Sequence, residues 1–392
     1  MSTSWPETVE QAQRLRRDLH RRPETAWAEH ATAAAVRQLL DDAGIAHRVC
    51  ADTGTVATLA PNAPGRHVAL RADLDALPIT EETGLEHASQ YDGVMHACGH
   101  DGHTATLIAV AHWLKTHEDT LPGPVTLLFQ PAEEGGHGAA RMIDDGCLSA
   151  PRPVEVIFGW HNWPTLPAGT ALCPDGAVMA ANGTFRVELH GHGGHASQPE
   201  TTRDPVLAAA AVTLALQQVV ARRLAPQQAA VLAVTSLEAA AAATVTPEVA
   251  ALGGSIRVPD LATRDAVFAA IEQIATATAT AHQVSAKVHT YPRYDATVNH
   301  PGPAGELRAA LATVFGTGWA QHQQPAPVLA SEDFSYYLQR VPGAFALIGG
   351  GRDDAAPLHN PRYDFDDALI DPVGRLLIEL AGAKVPAGSG FG

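Results

Sequence analysis

Eight consecutive residues, His96-Ala97-Cys98-Gly99-His100-Asp101-Gly102-His103, hold a dense group of potential metal ligands. Imidazole and thiolate are ligands that suit zinc and its neighbours in the transition series. A histidine-rich surface turn is the alternative explanation, because the chain contains 20 histidines. The segment alone does not decide between the two explanations, and further ligands in other parts of the chain would favour a metal site.

A pair of acidic residues, Glu133 and Glu134, directly follows a predicted strand at residues 125–130. Successive side chains of an extended chain point to opposite sides. One carboxylate can therefore bind a cation while its neighbour reaches a bound water, a division of labour that a metal-activated hydrolase requires. A solvated acidic turn is the alternative for an isolated Glu-Glu pair.

Two more histidines are candidate ligands, one after a predicted strand and one next to a predicted turn. His161 comes just past a predicted buried strand at residues 154–160, and His359 lies next to a turn. Ligands of open α/β sheets gather beyond the carboxyl ends of the strands. Each histidine taken alone is more often a hydrogen-bonded structural residue than a ligand, but together with the cysteine-histidine segment they indicate one metal site.

The second half of the chain contributes a histidine and an arginine. His195 lies in a glycine-rich stretch, residues 190–199, where it could polarise a carbonyl oxygen. A glycine-rich hairpin with incidental histidines is the alternative. Arg257, at the end of a predicted strand, could form a bidentate pair with a carboxylate, although a surface salt bridge is the more frequent use of such a residue.

Length and composition limit the class of protein. A chain of 392 residues is long enough for two domains, and 46% hydrophobic residues indicate a packed globular fold. The net charge of −16 and the lack of a basic cluster argue against a nucleic-acid partner. No secretory signal or membrane span is visible, and the four cysteines form no CxxC pair. These features predict a cytoplasmic protein with free thiols.

The pattern of elements changes near Ala180. Strands alternate with helices before it, which predicts an α/β fold with a mostly parallel sheet flanked by helices. After it, the predicted order is β-α-β-β-α-β, typical of a compact four-stranded α+β domain. The first pattern resumes at Asp295. We therefore predict one domain from residues 1–181 and 292–392, with a second domain, residues 182–291, inserted into it.

Several motifs occur in an order that one known family shows. They are Asp18-Leu19-His20, Pro23-Glu24, residues 71–78, 96–103, 130–134 and 194–199, Ser331-Glu332-Asp333-Phe334 and residues 358–361. With them the chain resembles the metallo-amidohydrolases that include hippurate hydrolase, bacterial N-acyl-amino-acid aminoacylases and plant auxin-conjugate hydrolases, which are relatives of zinc carboxypeptidases and dipeptidases. The resemblance covers about residues 15–365 and implies a zinc-exopeptidase-like catalytic domain with an inserted lid and dimerisation domain.

The resemblance also implies a role for individual residues. Glu133 corresponds to the general base and acid, Asp75 to an acid that orients a metal ligand, and His195 to a lid histidine that reaches the active site of a neighbouring subunit. A homodimer or higher homo-oligomer through the lid domain is therefore expected. The implied ligands of a dinuclear centre are Cys98, His100, Glu134, His161 and His359. Two divalent ions are expected there, with Zn²⁺ favoured and Mn²⁺, Co²⁺ or Ni²⁺ also acceptable.

One position departs from the family pattern. The usual Asn-Val-Ile-Pro reads Thr244-Val245-Thr246-Pro247 here, so Thr244 replaces an asparagine whose amide helps to hold the substrate. Arg257 is in place to bind the substrate carboxylate. We predict a metal-dependent amidohydrolase that splits N-acyl-L-amino acids into a carboxylic acid and a free amino acid. A dipeptidase or carboxypeptidase with the same metal chemistry is the alternative. A metal-carrying binding protein would have no use for Glu133 as a base.

Overall fold

The computed structural model describes residues 4–351 and 355–387. Contacts within the chain divide these residues into two compact units. Unit 1 comprises the residues up to Val178, residues 298–326 and the residues from Asp333 onward. Unit 2 comprises Met179–Thr297 and Pro327–Glu332.

The helices and strands of the described residues are numbered here in chain order. The helices are α1 (Trp5–His20), α2 (His30–Asp42), α3 (His100–Thr116), α4 (Gly138–Asp144), α5 (Pro205–Leu216), α6 (Leu261–Ala281), α7 (Pro301–Phe315), α8 (Ser335–Leu338) and α9 (Ile370–Leu380). The strands are β1 (His47–Cys50), β2 (Gly54–Leu59), β3 (Val68–Asp73), β4 (Val125–Gln130), β5 (Val156–Pro167), β6 (Ala171–Leu172), β7 (Gly176–Met179), β8 (Ala181–His190), β9 (Gly194–His195), β10 (Val231–Glu238), β11 (Val245–Thr246), β12 (Val249–Val258), β13 (Ser285–Pro292), β14 (Thr297–Asn299) and β15 (Gly343–Gly351).

Unit 1 is built on a seven-stranded sheet in the order β1-β2-β4-β3-β5-β15-β6. The four central strands, β4, β3, β5 and β15, are parallel, and the strands at both edges are antiparallel. Every residue of β3 and β4 is buried, as expected for parallel strands with both faces covered. The predicted α/β fold class is confirmed.

Helix α3 is the helix that carries the metal-ligand segment, and it is buried along most of its length. All residues from His100 to Ala111 are buried. Gly102 allows the close packing, because a Cβ at this position would lie 2.4 Å from the ring of Phe365. Gly99, with φ of 94°, adopts the left-handed backbone in which the chain enters the helix. The start of α3 is therefore held by packing on all sides.

Unit 2 contains a four-stranded antiparallel sheet in the order β10-β12-β8-β13. Helices α5 and α6 pack against each other and against this sheet. The core between them is formed by residues such as Phe185, Val212 and Ile271, all of which are buried. The element order is β-α-β-β-α-β, as predicted, apart from the short strands β9 and β11.

Helices α1 and α2 begin unit 1, and Pro23 lies in the break between them, where its ring cannot continue a helix. The structure differs from the sequence-based prediction at β5, which does not end at residue 160 but continues to Pro167, so His161 lies within the strand. Strand β15, not predicted from sequence, pairs with β5 from Ile157 to Trp163 and again at Pro167.

None of the helices in the described part of the chain is long and apolar enough to cross a membrane.

Candidate metal centre

The site in unit 1 is assembled at one edge of the sheet. Strands β3 and β4 are parallel neighbours, and their last residues, Asp73 and Gln130, lie directly opposite each other. Asp75 and Glu134 therefore follow adjacent strand ends, and a hydrogen bond of 2.8 Å joins the backbone N–H of Glu134 to Asp75 Oδ2. Because carboxyl ends of parallel strands meet at one edge, residues distant in sequence become neighbours here.

Four overlapping groups of side chains in unit 1 each have their ligand atoms within 4.8 Å of one another. Each group shares at least one member with another group, so the four form one continuous cluster. The cluster contains all five predicted metal ligands and Glu133, together with Asp73 and His103. The groups are Cys98 with His100 and His161, Cys98 with Glu134 and His359, His100 with Glu133 and Glu134, and Asp73 with His100 and His103.

His100 presents one ring nitrogen to this cluster. Its Nδ1 atom donates to the backbone carbonyl of Asp75 at 2.9 Å, and the Asp75 carboxylate lies 3.2 Å away. Its buried Nε2 atom makes no hydrogen bond and lies 3.5 Å from Asp73 Oδ2. Burial lowers the pKa of His100, but the charges of Asp73 and Asp75 outweigh it and raise the pKa to about 10. The surroundings of Nε2 thus favour a positive charge, either a proton or a metal cation.

The surroundings of His161 favour a neutral ring, in contrast to those of His100. Its Nδ1 atom donates to the carbonyl oxygen of Asn162 at 2.7 Å, and Nε2 lies 3.3 Å from Cys98 Sγ. Burial, His103 and His100 hold the pKa of His161 well below its usual range. The neutral ring therefore offers an Nε2 lone pair, which is the form in which histidine binds a metal.

The environment of Cys98 provides a test of whether a cation fits the cluster. Burial and the negative charges of Glu134 and Glu133 raise the pKa of the Cys98 thiol well above its usual range. A thiolate in this position therefore requires a nearby positive charge. A bound divalent cation supplies that charge and deprotonates a coordinating thiol. A thiol, a neutral imidazole and a partly buried carboxylate, joined in overlapping groups through Cys98, match the ligand types of a transition-metal site. The residues present fit the metal.

Glu134 and His359 complete the cluster on its exposed side. The Nε2 atom of His359 lies 3.2 Å from Glu134 Oε1. The His359 side chain is 52% exposed, and its φ of 64° is in the left-handed region. Burial raises the pKa of Glu134, but its close contact with His359 and the charge of His100 lower it below the ordinary value overall. Glu134 is therefore a carboxylate.

Glu133 is buried beside the metal-ligand cluster, with 6% of its surface exposed. Its Oε1 atom accepts a long hydrogen bond, 3.4 Å, from the backbone N–H of Asp333. The turn that carries it has Ala132 at a φ of 54°, and the Ala132 N–H donates to the buried carboxylate of Glu29 at 2.8 Å. Glu29 and Asp75 thus hold the two sides of a turn that fixes Glu133 and Glu134.

Four residues around His161 were given no separate role from sequence. The His103 ring bridges Asp73 Oδ1 at 2.6 Å and Asn162 Oδ1 at 2.7 Å, and the Asn162 amide donates to Tyr363 Oη at 2.6 Å. The sequence carried a signal for two of them, since His103 closes the eight-residue segment and Asp73 precedes Asp75. Spacing alone does not distinguish a metal ligand from a residue that supports one.

A buried ion-pair network lies behind the cluster. The Arg71 guanidinium contacts Asp73 Oδ2 at 2.6 Å and Asp333 Oδ1 at 3.1 Å. Gln130 links the same groups, accepting from Arg71 Nε at 2.8 Å and donating to Asp333. Buried carboxylates are stable only when they are paired and hydrogen-bonded, and Arg71 provides that pairing for two acids at the edge of the site.

The remaining predicted residues, His195, Thr244 and Arg257, lie in unit 2. His195 in β9 pairs with Val245 in β11, and the exposed Thr244 accepts a hydrogen bond at its carbonyl oxygen from the Ala196 N–H at 2.9 Å. Arg257, in β12, donates to Ser331 Oγ at 2.9 Å. It forms no ion pair with another described residue. Burial, with a smaller effect from Arg293, lowers its pKa.

Known proteins resemble this chain over most of its length. Residues 69–381 match the model of peptidase family M20/M25/M40. The chain is 38% identical over 372 residues to N-acetyl-L-cysteine deacetylase of Bacillus subtilis, covering 94% of this chain and 86% of that protein. It is 34% identical over 370 residues to hippurate hydrolase of Campylobacter jejuni, covering 94% and 95%. A dinuclear metal binding M20 peptidase from Bacillus subtilis has a crystal structure that matches with a TM-score of 0.82 and 30% identity, covering 96% of this chain and 98% of that one.

Proposed function

This chain belongs to peptidase family M20/M25/M40, and we propose that it hydrolyses the amide bond of N-acyl-L-amino acids to a carboxylic acid and a free amino acid. The resemblance to the metallo-amidohydrolases is confirmed by the family match and by the relatives. N-acetyl-L-cysteine and hippurate, named in two relatives, are both N-acyl amino acids. The observation that carries the proposal is the continuous cluster that joins the five predicted ligand side chains with Glu133.

We assign the metal-holding residues as Cys98, His100, Glu134, His161 and His359, for two divalent ions. When bound, such ions lower the pKa of a water and polarise the amide carbonyl. One thiolate and three imidazoles favour Zn²⁺, while Mn²⁺, Co²⁺ and Ni²⁺ suit the same ligands. Metal analysis of the protein as purified tests this assignment.

Glu133 is proposed as the general base and acid. Its carboxylate takes a proton from the attacking water and delivers it to the leaving amide nitrogen, so that one group serves both steps. Its burial and its contact with the Asp333 N–H hold it in place. Glu134, one residue further, lies near His100 as Glu133 does, but it also belongs to the group with Cys98 and His359, and we assign it as a ligand.

Two residues of unit 2 are proposed to act on the substrate. His195 donates a hydrogen bond to the oxygen on which negative charge develops. Arg257 pairs with the α-carboxylate, which explains a preference for acylated amino acids over simple amides. The half-buried guanidinium of Arg257, with a serine hydroxyl as its hydrogen-bond partner, supports this role. Thr244 is assigned to the substrate-binding region beside His195, where its backbone is already engaged with Ala196.

We propose that unit 2 acts as the lid and dimerisation domain, so that His195 serves the active site of the neighbouring subunit. Mixed dimers of a His195→Gln chain and a Glu133→Gln chain should then regain part of the activity that each homodimer lacks. The oligomeric state is measured by light scattering. Inactive mixed dimers, or a monomer with full activity, would contradict the shared site.

The proposed setting is the cytoplasm. The four cysteines are buried and unpaired, which suits a reducing compartment.

A substrate panel tests the proposed reaction. Protein loaded in turn with Zn²⁺, Mn²⁺, Co²⁺ or Ni²⁺ is incubated with N-acetyl-L-methionine, hippurate and a set of dipeptides, and the released amino acid is measured. We expect turnover of the acylated amino acids and little turnover of the dipeptides. A clear preference for dipeptides would identify a dipeptidase with the same metal chemistry, and no turnover by any metal form would contradict hydrolysis altogether.

A further inference from the structure

The side chain of His195 is held by its own chain two residues further on. The backbone N–H of Ser197 donates to His195 Nδ1 at 3.1 Å, and Ser197 Oγ lies 2.8 Å from the same atom. Both groups of Ser197 thus meet one ring nitrogen, although His195 and Ser197 are exposed to solvent.

These contacts specify where the proton of the neutral ring lies. A backbone N–H can only donate, so Nδ1 must be the acceptor and carry no hydrogen. The Ser197 hydroxyl can then satisfy the contact of 2.8 Å only by donating its own hydrogen to Nδ1. In the neutral imidazole, the remaining proton is on Nε2. Nε2 is therefore a hydrogen-bond donor.

The loop around this pair is restrained by the backbone. The Gln198 N–H donates to the His195 carbonyl at 2.9 Å, and the Ala196 N–H donates to the Thr244 carbonyl at 2.9 Å. Gly193 packs closely, since a Cβ there would lie 2.8 Å from the carbonyl oxygen of Thr246. Ser197 is therefore kept within reach of the His195 ring by contacts on both sides of the loop.

We propose that Ser197 is a positioning residue that fixes both the tautomer and the orientation of His195, so that Nε2–H faces outward as a donor. This inference rests on the proposed function, in which His195 donates to the developing oxyanion. A freely rotating exposed ring would lose both rotational freedom and the competing tautomer each time it engaged a substrate. The Ser197 contacts remove that cost before the substrate arrives.

Two variants isolate the hydroxyl contact. Ser197→Ala removes the hydroxyl donor, and we expect kcat for N-acetyl-L-methionine to fall about fivefold, the rate equivalent of one neutral hydrogen bond, with KM changed less than about twofold. Ser197→Thr keeps a hydroxyl and should restore kcat. Thr201→Ala is the matched control, because it removes a similar hydroxyl contact in the same loop, to the Gln198 carbonyl at 2.8 Å, without touching His195.

Nuclear magnetic resonance of ¹⁵N-histidine-labelled, metal-loaded protein gives a readout besides activity. The His195 signals are assigned by their loss in His195→Gln. In the wild type, Nδ1 should have the shift of an unprotonated nitrogen and Nε2 that of a protonated one. In Ser197→Ala the two shifts should move toward each other, and Thr201→Ala should leave them unchanged.

The outcomes separate this inference from the proposed function. A protonated Nδ1 in the neutral wild-type ring, or a Ser197→Ala variant that matches Thr201→Ala in both kcat and nitrogen shifts, would overturn the role of Ser197 even if the enzyme is active. If no N-acyl amino acid is hydrolysed while the nitrogen shifts behave as expected, the positioning by Ser197 stands and the proposed reaction fails.

Discussion

Two oxygen atoms of Asp75 lie close to His100 Nδ1: the backbone carbonyl oxygen at 2.9 Å and a carboxylate oxygen at 3.2 Å. The other carboxylate oxygen accepts from the backbone N–H of Glu134 at 2.8 Å. A single acid therefore orients two proposed metal ligands that lie on different elements. Groups that orient a ligand in this way affect metal affinity although they do not touch the metal.

Asp75→Asn is expected to lower metal affinity about 10- to 100-fold. The amide keeps the size of the side chain but loses the charge that favours a positively charged partner near His100. Metal affinity is measured by competition with a chelator of known affinity. Asp92→Asn, a change at an exposed acid, is the control and should leave the affinity unchanged. Equal affinities in the two variants would show that the Asp75 carboxylate does not support the site.

Glu133→Gln and Glu134→Gln should fail for different reasons. Loss of the base in Glu133→Gln should lower kcat at least about 100-fold with metal content nearly intact. Glu134→Gln should lose metal as well as activity, because a carboxylate ligand has become a neutral amide. Activity and metal content are measured on the same samples. A Glu133→Gln variant with most of its activity would show that another group acts as the base.

Arg257→Gln should weaken recognition of the substrate carboxylate. Because a hydrogen bond to a charged group contributes about 1.5–3 kcal/mol, kcat/KM for N-acetyl-L-methionine should fall roughly 10- to 100-fold. The slow hydrolysis of N-acetyl-L-methioninamide, which has no carboxylate, should change little. Arg186→Gln is the control on the same sheet, since Arg186 pairs with Glu238 at the surface. If hydrolysis of both substrates falls to the same extent, Arg257 does not recognise the carboxylate.

His20 predicts a loss of stability at alkaline pH. Burial lowers its pKa, but the hydrogen bond with Asp101 and the nearby carboxylate of Glu81 outweigh burial and raise the pKa to about 9, from 6.5 in the unfolded chain. The folded state therefore binds the proton more tightly. This stabilisation is fully present below pH 6.5 and is lost as the pH rises through about 9. It amounts to roughly 3 kcal/mol.

Urea unfolding of metal-saturated protein between pH 6 and pH 10 measures this effect. The difference in unfolding free energy between the wild type and His20→Gln should be largest near pH 6 and should shrink toward pH 10. Gln38→Ala, at an exposed residue of the neighbouring helix that carries no ionisable group, should show a constant difference. A His20→Gln difference that grows with pH would have the wrong sign for a protonated buried histidine.

Part of the fold could be predicted from the sequence, because local runs of apolar residues indicate which segments are buried. The apolar runs at β4 and at the start of β5 predicted buried strands, and the order of elements in unit 2 predicted its four-stranded sheet. Strand β15 was missed, although its buried centre at residues 344–348 is an apolar run like that of β4. The extension of β5 past residue 160, which places His161 within the strand, depends on pairing with β15, a partner distant in sequence.

The sequence by itself determined which chemistry is available: a thiol, imidazoles and paired carboxylates in an order that resembles one enzyme family. Only the tertiary structure decided which of these groups meet, which ring nitrogen of His100 and His161 faces the cluster, and that His103 and Asp73 support its members. Ligand type is a property of the residue and survives in the linear chain. Distances between side chains, histidine tautomers and pKa values depend on neighbouring residues that are far apart in the sequence and meet only in the folded chain.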